Sequence, residues 1–118
     1  MTKNKTATRY FSSAQEKYIA ENFNGELSLN SGASTFSAGD VINKQASLLF
    51  ECKTCMSDKD SFGIKKDWII KNKAEAFSKR LSDGVIAFNF GPGQENYFVI
   101  NEKLMKFLVE KLEEENND

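Results

Sequence analysis

The segment that most restricts this chain is Ala46-Ser-Leu-Leu-Phe-Glu-Cys-Lys-Thr54. A short apolar run bounded by turn residues reads as a strand covered by the rest of the molecule. Such a strand needs paired neighbours along its edges and packed layers over its faces. The neighbours are legible on either side. Gly39-Asp40-Val41-Ile42 opens a preceding strand, and Asn43-Lys44-Gln45 turns it back to form a hairpin. Downstream, Val85 to Phe90 is strand-like, Gly91-Pro92-Gly93 is a turn, and Tyr97 to Ile100 completes a second hairpin.

Helical periods supply the covering layers. Ser13-Ala14-Gln15-Glu16 has the form of a capping box, and Phe11, Ala14, Tyr18 and Phe23 follow at helical spacing until Asn24-Gly25. Glu26 to Asn30 alternates as a short strand, and Ser31-Gly32-Ala33-Ser34 makes a turn. Lys65 to Leu81 is a second helix, with Trp68, Ile69, Asn72, Ala76 and Phe77 setting its period, and Leu104, Phe107, Leu108 and Leu112 define a last one that frays into an acidic tail. The order is helix, three strands, helix, two strands, helix, which predicts an α/β sandwich on one mixed sheet.

The chain has 118 residues, the size of a single domain. Residues 1–10 read as a flexible basic arm and 110–118 as an acidic tail around a body of 11–109. With the tail set aside, the net charge of −1 becomes +3 over residues 1–109, the basic arm included. Lys53 to Arg80 holds eight basic residues against four acidic ones, which suits either a phosphate-attracting patch or a solvated helix face. No stretch approaches the ~20 apolar residues that span a bilayer, and the polar N-terminus lacks the apolar core of a secretory signal, so a cytoplasmic protein is expected.

Histidine is absent, which removes Ser-His-Asp and Cys-His nucleophile systems and His-based zinc sites together. Cys52 and Cys55 have redox or half-zinc spacing without a second ligand pair, and two partly buried thiols are the preferred reading. Any metal is then expected on carboxylates.

Strand alternation puts Leu49, Glu51 and Lys53 on one face of the central run and Leu48, Phe50 and Cys52 on the other. A carboxylate and an amine leaving an apolar strand require a partner, a metal or water, unless the strand end is simply exposed. The short hairpin can bring Asp40 beside Glu51. An Asp and a Glu on adjacent strands make an oxygen site for Mg²⁺ or Mn²⁺, which needs one or two carboxylates plus waters and substrate phosphate oxygens. Lys53 would face the same space, to orient or deprotonate the attacking water or neutralise developing charge. This is chemistry for phosphodiester hydrolysis.

Gly39-Asp40, ten intervening residues and Glu51-Cys52-Lys53 resemble the D-x(n)-E-x-K signature of the PD-(D/E)XK nuclease superfamily, with Gly39 in place of the motif's proline. Glu16, the Ser31-Gly32-Ala33-Ser34 turn, Phe50-Glu51-Cys52-Lys53-Thr54 and Ser61-Phe-Gly-Ile-Lys-Lys-Asp-Trp-Ile-Ile-Lys71 with Glu75-Ala76 are similar to archaeal and phage Holliday junction resolvases of that superfamily. The resemblance runs from about Arg9 to Phe90.

It implies a restriction-endonuclease-like α-β-β-β-α-β core with a mixed central sheet flanked by helices, extended by a C-terminal strand and helix. It implies Asp40, Glu51 and the Cys52 backbone carbonyl as ligands of Mg²⁺ or Mn²⁺, Lys53 as the catalytic lysine, and Glu16 as a helix-borne carboxylate. Glu16 also satisfies the capping box and could serve only there. Ser31, Ser34, Lys65, Lys66, Lys71 and Arg9 become candidate DNA contacts. Lys71 and Glu75 could reach the site or form a surface pair, and Trp68 could stack on an unpaired base or belong to the core or a dimer interface.

The implied activity is a structure-selective endodeoxyribonuclease cutting four-way junctions. The alternatives are another nuclease of the superfamily, or a non-catalytic DNA-binding module. A two-fold symmetric substrate favours a C2 homodimer, through either the Phe88, Phe90, Tyr97 and Phe98 hairpin or the last helix. Many Lys and Asn beside little Arg and Pro hint at an AT-rich bacterial or phage genome.

Overall fold

Strands β2 (Asp40–Asn43) and β3 (Leu48–Lys53) form the expected hairpin at the centre of a five-stranded sheet. The computed structural model describes residues 13–27 and 40–117. Ahead of the hairpin lie α1, helical over 13–22, and β1 (Glu26–Leu27). After it come α2 (Lys66–Ser78), β4 (Asp83–Phe88), β5 (Tyr97–Val99) and α3 (Glu102–Asn116). Sheet order is β1-β2-β3-β4-β5. The β3–β4 pair is parallel, joined through α2, and every other pair is antiparallel. The protein is therefore an α/β structure on a mixed sheet.

The two sheet faces have different covers. Val41, Phe50, Cys52, Val85 and Ala87 pack with Ile19 of α1, and Phe98, Ile100 and Leu104 close on that cluster. Phe23, Phe50 and Phe98 meet there with ring centroids 5.1 to 6.3 Å apart. On the opposite face α2 covers Leu49 and Ile86, both fully buried. Burying an aliphatic side chain of this size contributes about 1.5–3 kcal/mol. The approach of α2 is close because β4 has Gly84 where Asn72 sits, and a Cβ on Gly84 would collide with that amide.

Local chemistry sets the turns. Asn43 Oδ1 accepts the Ala46 N–H at 2.9 Å, Ser47 takes a positive φ of 62°, and its carbonyl receives the Ser82 N–H at 2.9 Å, tying the hairpin turn to the start of β4. The end of α2 is a Schellman turn, with the Arg80 N–H on the Phe77 carbonyl and the Leu81 N–H on the Ala76 carbonyl. Arg80 carries the left-handed φ of 61° that this motif imposes.

Several expectations change. The first helix is present by Ser13 as expected, but Ser13 lies within it and does not cap it, and the buried positions of α1 are Gln15 and Ile19, whereas Ala14, Tyr18 and Phe23 are exposed. In α2 the buried residues are Asn72 and Ala76, and Ile69 and Phe77 face solvent, Phe77 at 83% exposure. The last helix does not fray at the acidic segment. It continues to Asn116, capped at its start by Asn101 Oδ1 on the Leu104 N–H at 2.8 Å. Its apolar residues Met105, Leu108, Val109 and Leu112 are exposed. Among the described residues no helix is long and apolar enough to cross a membrane.

Candidate metal and phosphate site

The register of the β2–β3 ladder places Asp40 directly opposite Glu51. Side chains of directly opposed residues project from the same face, here the α2 face. Two residues on, Lys53 shares that face, and its Nζ lies 3.0 Å from Glu51 Oε2. The pair is neither sealed nor free, with Lys53 27% and Glu51 17% exposed. Lys53 is also held from above by α2, its Nζ standing 4.3 Å from the centre of the Trp68 ring. A cation over an indole face is attracted by the ring quadrupole, so Trp68 orients the lysine. Lys65, at the start of α2, reaches the same ring at 5.7 Å.

Asp40 is buried and has a second carboxyl for company, since Glu75 of α2 lies within hydrogen-bonding reach of it. Burial, the Glu75 hydrogen bond and charge, and the Glu51 charge push the Asp40 carboxyl up to about 8, against the opposing pull of Lys79. Two carboxyls this close need a proton or a cation between them. Lys79 stands 4.0 Å from Glu75, a contact that leaves the Asp40 side of the cluster acidic.

Asp40, Glu51 and Lys53 are thus brought together as the strand pattern implies. The Cys52 carbonyl lies on the backbone between Glu51 and Lys53, while the Cys52 thiol is buried in the opposite face, where burial and then the charges of Glu16, Asp40 and Glu51 push its pKa up. Glu16 is half-buried on α1 and acts on that thiol, which places it nearer the Cys52 face of the strand than the Glu51 face. Both cysteines are free, and Cys55 is a weak donor to the Asn89 carbonyl at 3.8 Å, in keeping with thiols that pack and do not react.

Lys71 does not reach the site. It is 76% exposed and pairs with Asp67 at 3.2 Å, so the i,i+4 pairs on α2 are Asp67–Lys71 and Glu75–Lys79, not Lys71–Glu75. Lys66 is exposed on the first turn of α2. Trp68 serves neither as core nor as free stacking platform, being half-buried beneath Lys53 and beside Phe62. Arg9, Ser31 and Ser34 lie outside the described residues.

Among the described residues no group of three His, Cys, Asp or Glu is arranged to hold a metal ion unaided. The donor set nevertheless fits a hard divalent cation, because Mg²⁺ keeps several waters and takes one or two carboxylates. Asp40 and Glu51 provide two, opposite one another, and the Asp40–Glu75 contact is one that a cation would relieve.

The sequence pattern gives no warning of the cluster behind the strand ends. Gln15 is 5% exposed and donates its amide Nε2 to the Lys53 carbonyl at 2.9 Å, the Ala87 carbonyl at 3.3 Å and Asn96 Oδ1 at 3.1 Å. Asn89, equally buried, donates to Asn96 Oδ1 at 3.2 Å and accepts from Thr54 Oγ1 at 2.9 Å. These amides tie α1, β3, β4 and the loop before β5 together and fix the backbone from which Lys53 projects. Comparison with protein-family models, with curated proteins and with solved structures finds no match for this chain.

Proposed function

We propose that the protein is a Mg²⁺- or Mn²⁺-dependent endonuclease of the PD-(D/E)XK type that cuts branched DNA, four-way junctions above all. The observation that carries this reading is the face shared by Asp40, Glu51 and Lys53, two carboxylates in direct cross-strand register and a lysine at 3.0 Å from one of them. A pure DNA binder gains nothing from carboxylates beside phosphate. A hydrolase gains a place for a cation.

Asp40 and Glu51 would hold the ion, with the Cys52 carbonyl beside them and Glu75 close to Asp40. When bound, the ion would supply charge to a phosphoryl oxygen and to the leaving oxygen. Lys53 would meet a non-bridging phosphate oxygen once it moves off Glu51, with Trp68 limiting its swing. Its ammonium would neutralise charge that develops as the phosphodiester is attacked. Lys65, sharing the Trp68 ring, would meet the flanking phosphate. The product ends would be 5′ phosphate and 3′ hydroxyl.

Two cuts in a four-way junction call for two sites, and the exposed Met105, Leu108, Val109 and Leu112 stripe of α3 supports a C2 homodimer. The aromatic hairpin is a poorer candidate for that role, because Phe62, Phe88, Phe90 and Tyr97 already pack on one another within the chain.

The test is incubation of the purified protein with a labelled four-way junction and a matching duplex, in Mg²⁺, Mn²⁺ or chelator. Paired symmetric nicks in the junction alone, abolished by chelator, are expected. Cleavage of both substrates would retain the site and make the enzyme a less selective nuclease. Junction binding without cleavage in any metal would overturn the enzymatic reading.

A further inference from the structure

We propose that the cavity at the carboxyl ends of β3 and β4, on the α1 side of the sheet, is a pocket for an unpaired nucleobase of the DNA being cut. This rests on the nuclease reading for the identity of the polymer, while the pocket itself is argued from its own walls. The cavity has a volume of about 680 Å³ and is walled by Gln15, Asn22, Asn89 and Asn96 together with Phe23 and Phe98. That volume lies within the range of small-molecule sites.

The polar wall is mostly amides, joined by the hydroxyls of Tyr18 and Thr54, and among the described residues Glu95 is its one charged member. Among the described residues no cation lines the wall, which leaves the amides and rings to set what it binds. Gln15 and Asn89 spend most of their amide bonds within the protein, and the amides of Asn22 and Asn96 keep the groups that can meet the donors and acceptors of a base edge. Phe23 and Phe98, with centroids 5.1 Å apart in an edge-to-face arrangement, supply an aromatic surface for a flat ring. A neutral, planar group with both donors and acceptors is the ligand these walls describe, and in DNA that group is a base out of its stack.

Gln15 adds an independent sign. Its Nε2 is shared among three acceptors, yet its buried Oε1 has no hydrogen-bond partner among the described residues. A buried acceptor left unpaired is costly, and such groups in native structures ask for an explanation. An N–H brought in by a ligand would provide the missing partner.

The pocket also borders the strand end that carries the charged site. Gln15 grips the carbonyl of Lys53, whose ammonium stands at Glu51 on the other face, and the next residue, Thr54, borders the cavity. A base held here would anchor the DNA strand at the end of β3 from which Lys53 projects. Branch points, where bases lose their partners, would then be preferred over continuous duplex.

The experiment uses the full chain without metal. The four deoxynucleosides and 2-deoxyribose 5-phosphate are titrated while the side-chain amide resonances of Gln15, Asn89 and Asn96 are followed by NMR. In parallel, forked DNA with 2-aminopurine at its unpaired position is followed by fluorescence. At least one nucleoside should shift the amides and the sugar phosphate should not, and the 2-aminopurine signal should change on binding. Asn22→Trp, an exposed helix position that fills the cavity mouth, should weaken both responses about tenfold, as the loss of one base stack would. Glu51→Gln should abolish cleavage while leaving both responses intact, which separates failure of the nuclease reading from failure of the pocket. Absence of any nucleoside-induced shift, equal responses in Asn22→Trp, or a nucleoside response without one from the forked DNA would overturn the proposal.

Discussion

The two faces of β3 are one residue apart in sequence and opposite in chemistry. Toward α2 the strand presents Glu51 and Lys53 beside Asp40 and Glu75, a charged cluster partly open to solvent. Toward α1 it presents Phe50 and Cys52, and beyond its end the same layer becomes a pocket of amides and rings with Glu95 at its wall. The charged face offers carboxylates and an amine; among the described residues the other face offers amides, hydroxyls and rings. A strand that alternates sidedness at every residue thus carries two chemically different surfaces on one backbone, which Gln15 grips at the Lys53 carbonyl.

The largest break in this comparison should come from the charged face. Glu51→Ala and Lys53→Ala should each lower the rate of metal-dependent cleavage by about a thousandfold, the scale of losing one electrostatic group at a transition state. Single-turnover kinetics on a labelled junction measure it, and both variants should keep the wild-type circular dichroism.

From the neutral side the effect should fall on stability. Gln15→Leu leaves the Lys53 and Ala87 carbonyls without this donor and should cost about 1–3 kcal/mol. Thermal melting should register several degrees for each kcal/mol. Asn22→Ala, exposed on the same helix, should melt within a degree or two of wild type.

Asp40 distinguishes the faces by pH. Its carboxyl is near 3.8 in the unfolded chain and is raised to about 8 in the fold. Between those values the folded state binds more protons than the unfolded one, so stability falls as pH rises from about 4 to 8. Asp40→Asn should therefore stabilise the metal-free protein at pH 8 and gain nothing at pH 4, as denaturant titrations at the two values would show. An equal gain at both would mean that Asp40 is not held protonated.

The smallest effect belongs to Trp68. Trp68→Leu removes the ring against Lys53 and should lower cleavage by only two- to fivefold, consistent with the ~0.5–1 kcal/mol at the weaker end of cation–π contacts. A loss as large as that of Lys53→Ala would make the indole part of the reacting surface.

Much of the charged face was legible because its code is short-range. Period-two alternation places Glu51 with Lys53, and a hairpin with a four-residue turn leaves little freedom for where Asp40 falls. Helix contributions were less so. Glu75 was named only as a residue that could reach the site, since the rotation of α2 depends on the fit of Asn72 against Gly84, a contact with no local signature. The neutral face was hidden for a related reason. Reading α1 by its apolar residues favours Ala14 and Tyr18, yet the carbonyls of Lys53 and Ala87 need donors, and that requirement brings a glutamine inward. A lone buried amide satisfying strand carbonyls leaves no period to find.

The central claim is that Asp40 and Glu51 form a divalent-cation site, and Mn²⁺ titration followed by electron paramagnetic resonance tests it most directly. Wild-type protein with a non-cleavable four-way junction should take up Mn²⁺, attenuating the free-ion signal, and the Asp40→Asn, Glu51→Gln double variant should not, while still binding the junction. Equal uptake by both proteins, or uptake by neither, would contradict the account.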